Sequence, residues 1–149
     1  MGINNKEKIT VQITVHAPVE RVWTCWTTPE DIVGWNHASD DWHTTQAENN
    51  LHKGGRFKFR MEARNGSDGF DFGGTYTNVV LNKRIDYTLD DERKVTILFL
   101  SEGNKTKVVE TFEAESIHSA VLQRNGWQSI LNNFKIYAEA RSQRLHPVV

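Results

Sequence analysis

The chain predicts an α+β fold in which a curved antiparallel sheet of about six or seven strands grips one long C-terminal helix. Three observations lead there. From Ser119 to about Arg144, the residues Trp127, Ile130, Leu131, Phe134 and Ala138 recur at helical spacing and form one apolar stripe. Between Trp42 and Glu113, alternating runs are separated by turn residues, the pattern of an antiparallel meander. Ahead of the meander stand one more alternating run and two short helical stripes. A strand face runs about 17–20 Å, whereas a helix with its side chains is about 10–12 Å wide. A sheet curled around one helix therefore keeps an uncovered apolar face, and a cavity is expected there.

Each element has a local cause. Ile9, Val11, Ile13 and Val15 alternate with polar residues, which makes a half-buried strand. Pro18 stands where a helix takes its first residue, and Val19, Val22, Trp23 and Trp26 share one helical face. Thr28-Pro29-Glu30-Asp31 starts a second helix with a cap, a proline and acid in the first turn; Gly34-Trp35 ends it. Residues 36–41 read as a loop and 42–48 as a strand. Gly54-Gly55 closes a turn, after which Phe57, Phe59, Met61 and Ala63 alternate with charged residues. Asn65-Gly66 is a hairpin signal. Phe70, Phe72, Gly74 and Tyr76 share a parity on the next strand, where Gly73-Gly74 predicts a bulge or sharp bend. Turns at Asn82-Lys83, Asp90-Asp91-Glu92 and Glu102-Gly103-Asn104 separate the remaining strands, and the last of these runs from Thr106 to Glu113. The expected order is β-α-α-β-β-β-β-β-β-α.

Composition narrows the function classes. A chain of 149 residues predicts one domain, 1–149. A net charge of −1 without a basic run disfavours nucleic acid and anionic membrane surfaces as partners. No apolar stretch approaches a membrane span. The N-terminal MGINNKEKIT has no apolar signal region, and Lys6 breaks the myristoylation pattern after Gly2. With Cys25 as the one cysteine, a cytoplasmic location is the expectation.

The residues at 17–35 (APVERVWTCWTTPEDIVGW), 54–61 (GGRFKFRM), 73–76 (GGTY) and 126–140 (GWQSILNNFKIYAEA) resemble the START-like helix-grip (SRPBCC) superfamily. The resemblance spans roughly 9–142. Within it, the chain looks like the bacterial branch related to the C-terminal domain of the activator of heat-shock protein 90 ATPase. WNHASDDWH at 35–43, GFDFGG at 69–74 and TLDDERK at 88–94 are similar to a polyketide-cyclase-like sub-branch. The resemblance implies a cavity that takes apolar or aromatic small molecules. In some members it implies cyclase or hydrolase chemistry, and in a few a co-chaperone role.

By strand parity and helical spacing, the residues expected to line a ligand cavity are Trp35, Trp42, Phe57, Phe59, Phe72, Tyr76, Tyr87, Phe99, Glu110, Phe112 and Trp127. Glu110 is the polar member. It faces the cavity if Val108 and Phe112 face inward, and faces solvent if Val109 and Thr111 do. His43, in an acidic aromatic segment, is either a surface histidine near acidic groups or a general acid or base beside carboxylates. A cyclase, dehydratase or hydrolase would use one of these two. Asp71 and Arg60 are expected to pair outward across neighbouring strands. Asp40-Asp41 reads as a turn. No histidine or cysteine spacing points to a metal, and no glycine-rich segment fits a nucleotide loop, so no cofactor is expected. On α-helical spacing, Gln128, Asn132 and Lys135 are expected to face water.

Overall fold

The alternating runs form strands and the helical stripes form helices in the expected order. The computed structural model describes residues 7–145, so the readings at Met1–Lys6 lie outside the described residues. Strand β1 (Lys8–Val15) leads into helices α1 (Val19–Thr27) and α2 (Pro29–Trp35). Strands β2 (Trp42–Asn49), β3 (Arg56–Ala63), β4 (Gly69–Val80), β5 (Arg84–Leu89), β6 (Lys94–Glu102) and β7 (Lys105–Glu113) follow, then helix α3 (Ala120–Leu145). The seven strands form one antiparallel sheet in the order β1-β7-β6-β5-β4-β3-β2. It curls into a half-barrel around α3. The meander is β2 to β7, and β1 adds to β7, so β1 and β2 are its two edges.

An edge strand presents unpaired backbone groups that must be satisfied or protected. Helix α3 does this for β1. Arg124 donates to the Thr10 carbonyl at 2.7 Å, Gln128 to Gln12 at 3.0 Å and Lys135 to Thr14 at 2.6 Å. Glu139 accepts from the His16 backbone N–H at 2.8 Å. Gln128 and Lys135 therefore do not simply face water as helical spacing predicts. They are half-buried, and only Asn132 of that trio is exposed.

The core lies on the concave face under the second half of α3. Leu131, Phe134 and Ala138 are buried there in one cluster with Ile9, Val11, Val108 and Phe112. Phe134 meets Trp26 and Trp35, each with ring centroids 4.9 Å away. The Trp35 indole N–H donates to the Cys25 carbonyl at 2.9 Å, which ties α2 to α1. Cys25 is a buried core residue, and burial first, then Asp31, pushes its thiol up to about 11.

Gly73-Gly74 does not mark a bulge. Both residues stay in regular register with Lys58 and Phe57, and the irregularity in the β4–β5 pairing falls between Tyr76 and Asn78. Close packing explains the glycine at 74 instead. A Cβ there would stand 2.5 Å from the Thr88 carbonyl oxygen and 3.1 Å from the Phe57 ring. Gly74→Ala is expected to destabilise the fold by about 1–3 kcal/mol, as overpacking does. A urea midpoint equal to that of the parent would refute this account of the position.

A cavity under the first half of the long helix

Where α3 passes over β3, β4 and β5, its side chains do not fill the concave face. A cavity of about 700 Å³ remains between them. Its floor is aromatic because each strand sends alternate residues inward. Phe57 and Phe59 come from β3, Phe72 and Tyr76 from β4, and Tyr87 from β5. Trp35 and Trp42 close the α2–β2 side, and Trp127 forms the roof. The floor is tightly coupled. Phe57 lies 4.8 Å from Tyr87, 5.1 Å from Phe59 and 5.2 Å from Tyr76, ring centroid to centroid.

Nine of the eleven residues expected at the cavity line it, and two do not. Phe99 is buried on the far side, where it packs edge-on to Trp23 at 5.1 Å. Phe112 lies under Trp127, stacked at 3.9 Å with ring planes 8° apart, so the indole separates it from the open space. Strand parity gives the face of a side chain but not what covers it. Trp127 is correspondingly half-buried rather than sealed in the core.

Glu110 points inward, in parity with the fully buried Val108 and Phe112. Its register partners are Val11 on β1 and Ile97 on β6, both apolar and buried. Glu110 is 5% exposed, lines the cavity, and its carboxyl makes no hydrogen bond among the described residues. Burial disfavours its charged form and raises its pKa to about 8. Tyr87 likewise makes no side-chain hydrogen bond among the described residues, and its hydroxyl pKa is raised, first by burial and then by Glu110. The Tyr76 hydroxyl donates to the Asn49 side-chain oxygen.

His43 does not join this group. It sits between the inward-facing Trp42 and Thr44, opposite Glu62 on β3, and does not line the cavity. Asp40-Asp41 is a turn: Ser39 donates to the Asp41 carboxylate at 2.7 Å, and Arg64 donates to the Asp40 carbonyl at 2.8 Å. Arg60 and Asp71 pair outward in direct register at 3.4 Å, as expected.

Sequence reasoning missed the polar mouth. Arg93, Glu115, His118 and the buried Gln123 also line the cavity. Gln123 accepts from the Glu115 backbone N–H and donates to the Glu115 and His118 carbonyls, which staples the β7–α3 loop to the helix. The glutamine stands at the start of a helix whose apolar stripe begins later, and that position alone marks it. Gly126, on the same helix as Trp127, is a second feature that periodicity does not mark. It lines the cavity, and a Cβ there would meet nothing within 4 Å.

Among the described residues, no group of three or more His, Cys, Asp or Glu side chains is placed to hold a metal ion. No described helix is long and apolar enough to cross a membrane.

Comparison with known proteins agrees with this architecture. No curated protein matches the chain. Among solved structures, the AHSA1-like protein from Aeromonas hydrophila is 44% identical, covers 96% of this chain and 99% of its own, and superposes with a TM-score of 0.88. A protein from Cytophaga hutchinsonii is 45% identical over 95% of this chain and 97% of its own, with a TM-score of 0.78. A protein from Chromobacterium violaceum, 23% identical over 89% of this chain and 96% of its own, shares the fold with a TM-score of 0.79. The model of the family described as Activator of Hsp90 ATPase homolog 1-like protein matches residues 16–139, and the chain belongs to that family.

Proposed function

We propose that the chain binds a small apolar or aromatic molecule in the cavity between the sheet and α3. The observation that carries this reading is the combination of about 700 Å³ of space with the aromatic wall of Phe57, Phe59, Phe72, Tyr87 and Trp127. That volume lies in the range of small-molecule sites, which are mostly apolar with a few placed polar groups. A solid core at this size would be expected to fill such a space rather than keep it. Gly126 adds to the case. A glycine inside a helix costs about 1 kcal/mol relative to alanine, and here no close packing requires it.

The test pairs the parent protein with Gly126→Leu. A panel of naphthalene-based hydrophobic probes, flavonoids and fatty acids is titrated, with tryptophan fluorescence and melting temperature as readouts. Trp127 and Trp35 are the expected reporters. A ligand at a hundred times its Kd adds about 2.7 kcal/mol of stability, so binding is visible as a melting shift. Gly126→Leu is expected to fold and to lose the response, because its side chain occupies the space. No response from the parent to any member of the panel would refute the reading.

Two alternatives have narrower support. A cyclase, dehydratase or hydrolase needs at least two polar groups converging on a reacting centre. Glu110 and the Tyr87 hydroxyl are the available pair, and among the described residues no hydrogen bond joins them to each other or to a proton relay. A chaperone partner, which the family's description brings to mind, has the exposed apolar residues Ile117, Val121 and Leu122 around the start of α3 as its supporting surface. ATPase stimulation of a purified chaperone by the intact protein, undiminished in Gly126→Leu, would favour that alternative.

A further inference from the structure

Glu110 is a feature of the cavity that an apolar ligand leaves unexplained. It is 5% exposed, borders open space, and has no hydrogen-bond partner among the described residues. A buried acid in that position is costly unless something pairs with it. Among the described residues, nothing on the surrounding elements does. From β1 and β6 it faces Val11 and Ile97. The α3 side chains at the cavity are Leu122, Gln123, Trp127 and Ile130, none of them ionisable. The other titratable groups on the cavity are Tyr76, Tyr87, Arg93, Glu115 and His118. Arg93 is held by Asp91 at 2.8 Å, and His118 by Glu115 at 2.9 Å. Tyr76 is bound to Asn49, and Tyr87 is a neutral phenol that brings no positive charge. Among the described residues, Glu110 is therefore an acid with no cation paired to it.

Resting on the binding reading above, we propose that the cavity selects ligands carrying a basic nitrogen on an aromatic or apolar body, with the nitrogen seated against the Glu110 carboxyl. Such a ligand supplies the missing charge where the protein supplies none. The same space is walled by Phe57, Tyr87 and Trp127, and aromatic faces attract cations, most strongly where water is excluded. The apolar body takes the remaining volume against Phe59 and Phe72. The proton balance is simple. The ligand enters as an ammonium ion, Glu110 releases its proton to solvent, and an ion pair forms. Burial alone keeps the unliganded carboxyl largely protonated at neutral pH, so binding releases close to one proton per ligand.

The test uses two probes that differ in one group, aminomethylpyrene and hydroxymethylpyrene. Each is titrated into the intact protein and into Glu110→Gln, by fluorescence and by calorimetry in two buffers of different ionisation enthalpy. The parent is expected to bind the amine about tenfold or more tightly than the alcohol, and to release a proton only with the amine. Glu110→Gln is expected to bind both probes alike, with the alcohol's affinity little changed. In the parent, amine affinity is expected to rise about tenfold per pH unit as pH climbs towards the carboxyl's pKa, while alcohol affinity stays level. This profile needs no variant, so a level amine affinity across that range overturns the proposal even if Glu110→Gln fails to fold.

Equal binding of the two probes by the parent overturns the proposal and leaves the apolar binding reading intact. An amine preference or pH slope that survives in Glu110→Gln also overturns it, because the anchor is then another group such as Glu115 or His118. A preference for the alcohol overturns it in favour of a neutral acid donating to ligand oxygen. If neither probe binds and the wider hydrophobic panel is also silent, the binding reading itself falls and takes the proposal with it.

Discussion

Phe134→Ala is expected to destabilise the protein by about 3–5 kcal/mol, the range for removing a large buried aromatic side chain. Phe134 is 0% exposed, and its ring meets Trp26 and Trp35, each at 4.9 Å, in a three-ring cluster whose tryptophans are 4.8 Å apart. These contacts join α3 to both short helices, so the space left behind cannot close without moving three elements. Trp127→Ala on the same helix is expected to cost less, about 2–3 kcal/mol, although the side chain is larger. Trp127 has a partner on one face, Phe112 at 3.9 Å, and the cavity beside it. Truncating it enlarges an existing space rather than opening a new one. Urea midpoints at unchanged slope provide the comparison. Equal losses at the two positions, or a larger loss at 127, would mean that α3 is packed along its whole length and that the cavity is not a feature of the folded state in solution.

The second large effect is a stability difference that depends on pH. In the unfolded chain Glu110 titrates near its ordinary value of 4.5, and in the folded chain burial raises it to about 8. Between those values the folded protein holds a proton that the unfolded chain has released. Glu110 therefore contributes most to stability below about pH 4.5, and its contribution is lost progressively as pH rises through that interval. Above the folded value the loss is complete. At roughly 1.4 kcal/mol per pH unit, the whole interval amounts to at most about 5 kcal/mol. Glu110→Gln keeps the shape and removes the titration. Near pH 5 the variant is expected to match the parent closely, and near pH 8.5 to exceed it by a few kcal/mol. Other carboxylates, such as Asp86 and Glu139, titrate with depressed values in both proteins and drop out of the difference. Denaturant unfolding of both proteins across pH 5–9 measures it. A constant difference over that range would mean that Glu110 is solvated or paired in solution. A variant much less stable at every pH would mean that the carboxylate has a structural partner.

The acid was legible in the sequence because a strand has only two faces. Thr106 to Glu113 admitted two parities, and Val108 with Phe112 on the buried face carries Glu110 with them. Periodicity also located the strand faces of Phe57, Phe59, Phe72, Tyr76 and Tyr87, and the stripe of α3. These readings depend on the backbone's repeat and little else. Where the same reasoning failed, depth was at stake. Phe99 and Phe112 face the correct side, but Trp23 and Trp127 cover them, and no period of two or 3.6 records which side chain lies over another. Gln128 and Lys135 are polar and fall off the apolar stripe, so spacing assigns them to water. They lie instead along the free edge of β1 because the sheet curls far enough to bring that edge beside the helix.

The sequence by itself determined the order of the elements, the inward face of each strand and the presence of one acid among aromatic residues. Those properties follow from interactions between near neighbours along the chain and from the alternation of the backbone. Tertiary structure decided that the first half of α3 stands over open space while the second half is packed. It also brought Arg93, Glu115, His118 and Gln123 from separate segments to the cavity mouth. The physical reason is the curvature of the sheet. How far seven twisted strands curl, and how much of the concave face a single helix then covers, depends on all the strands together and is encoded in no local stretch of residues.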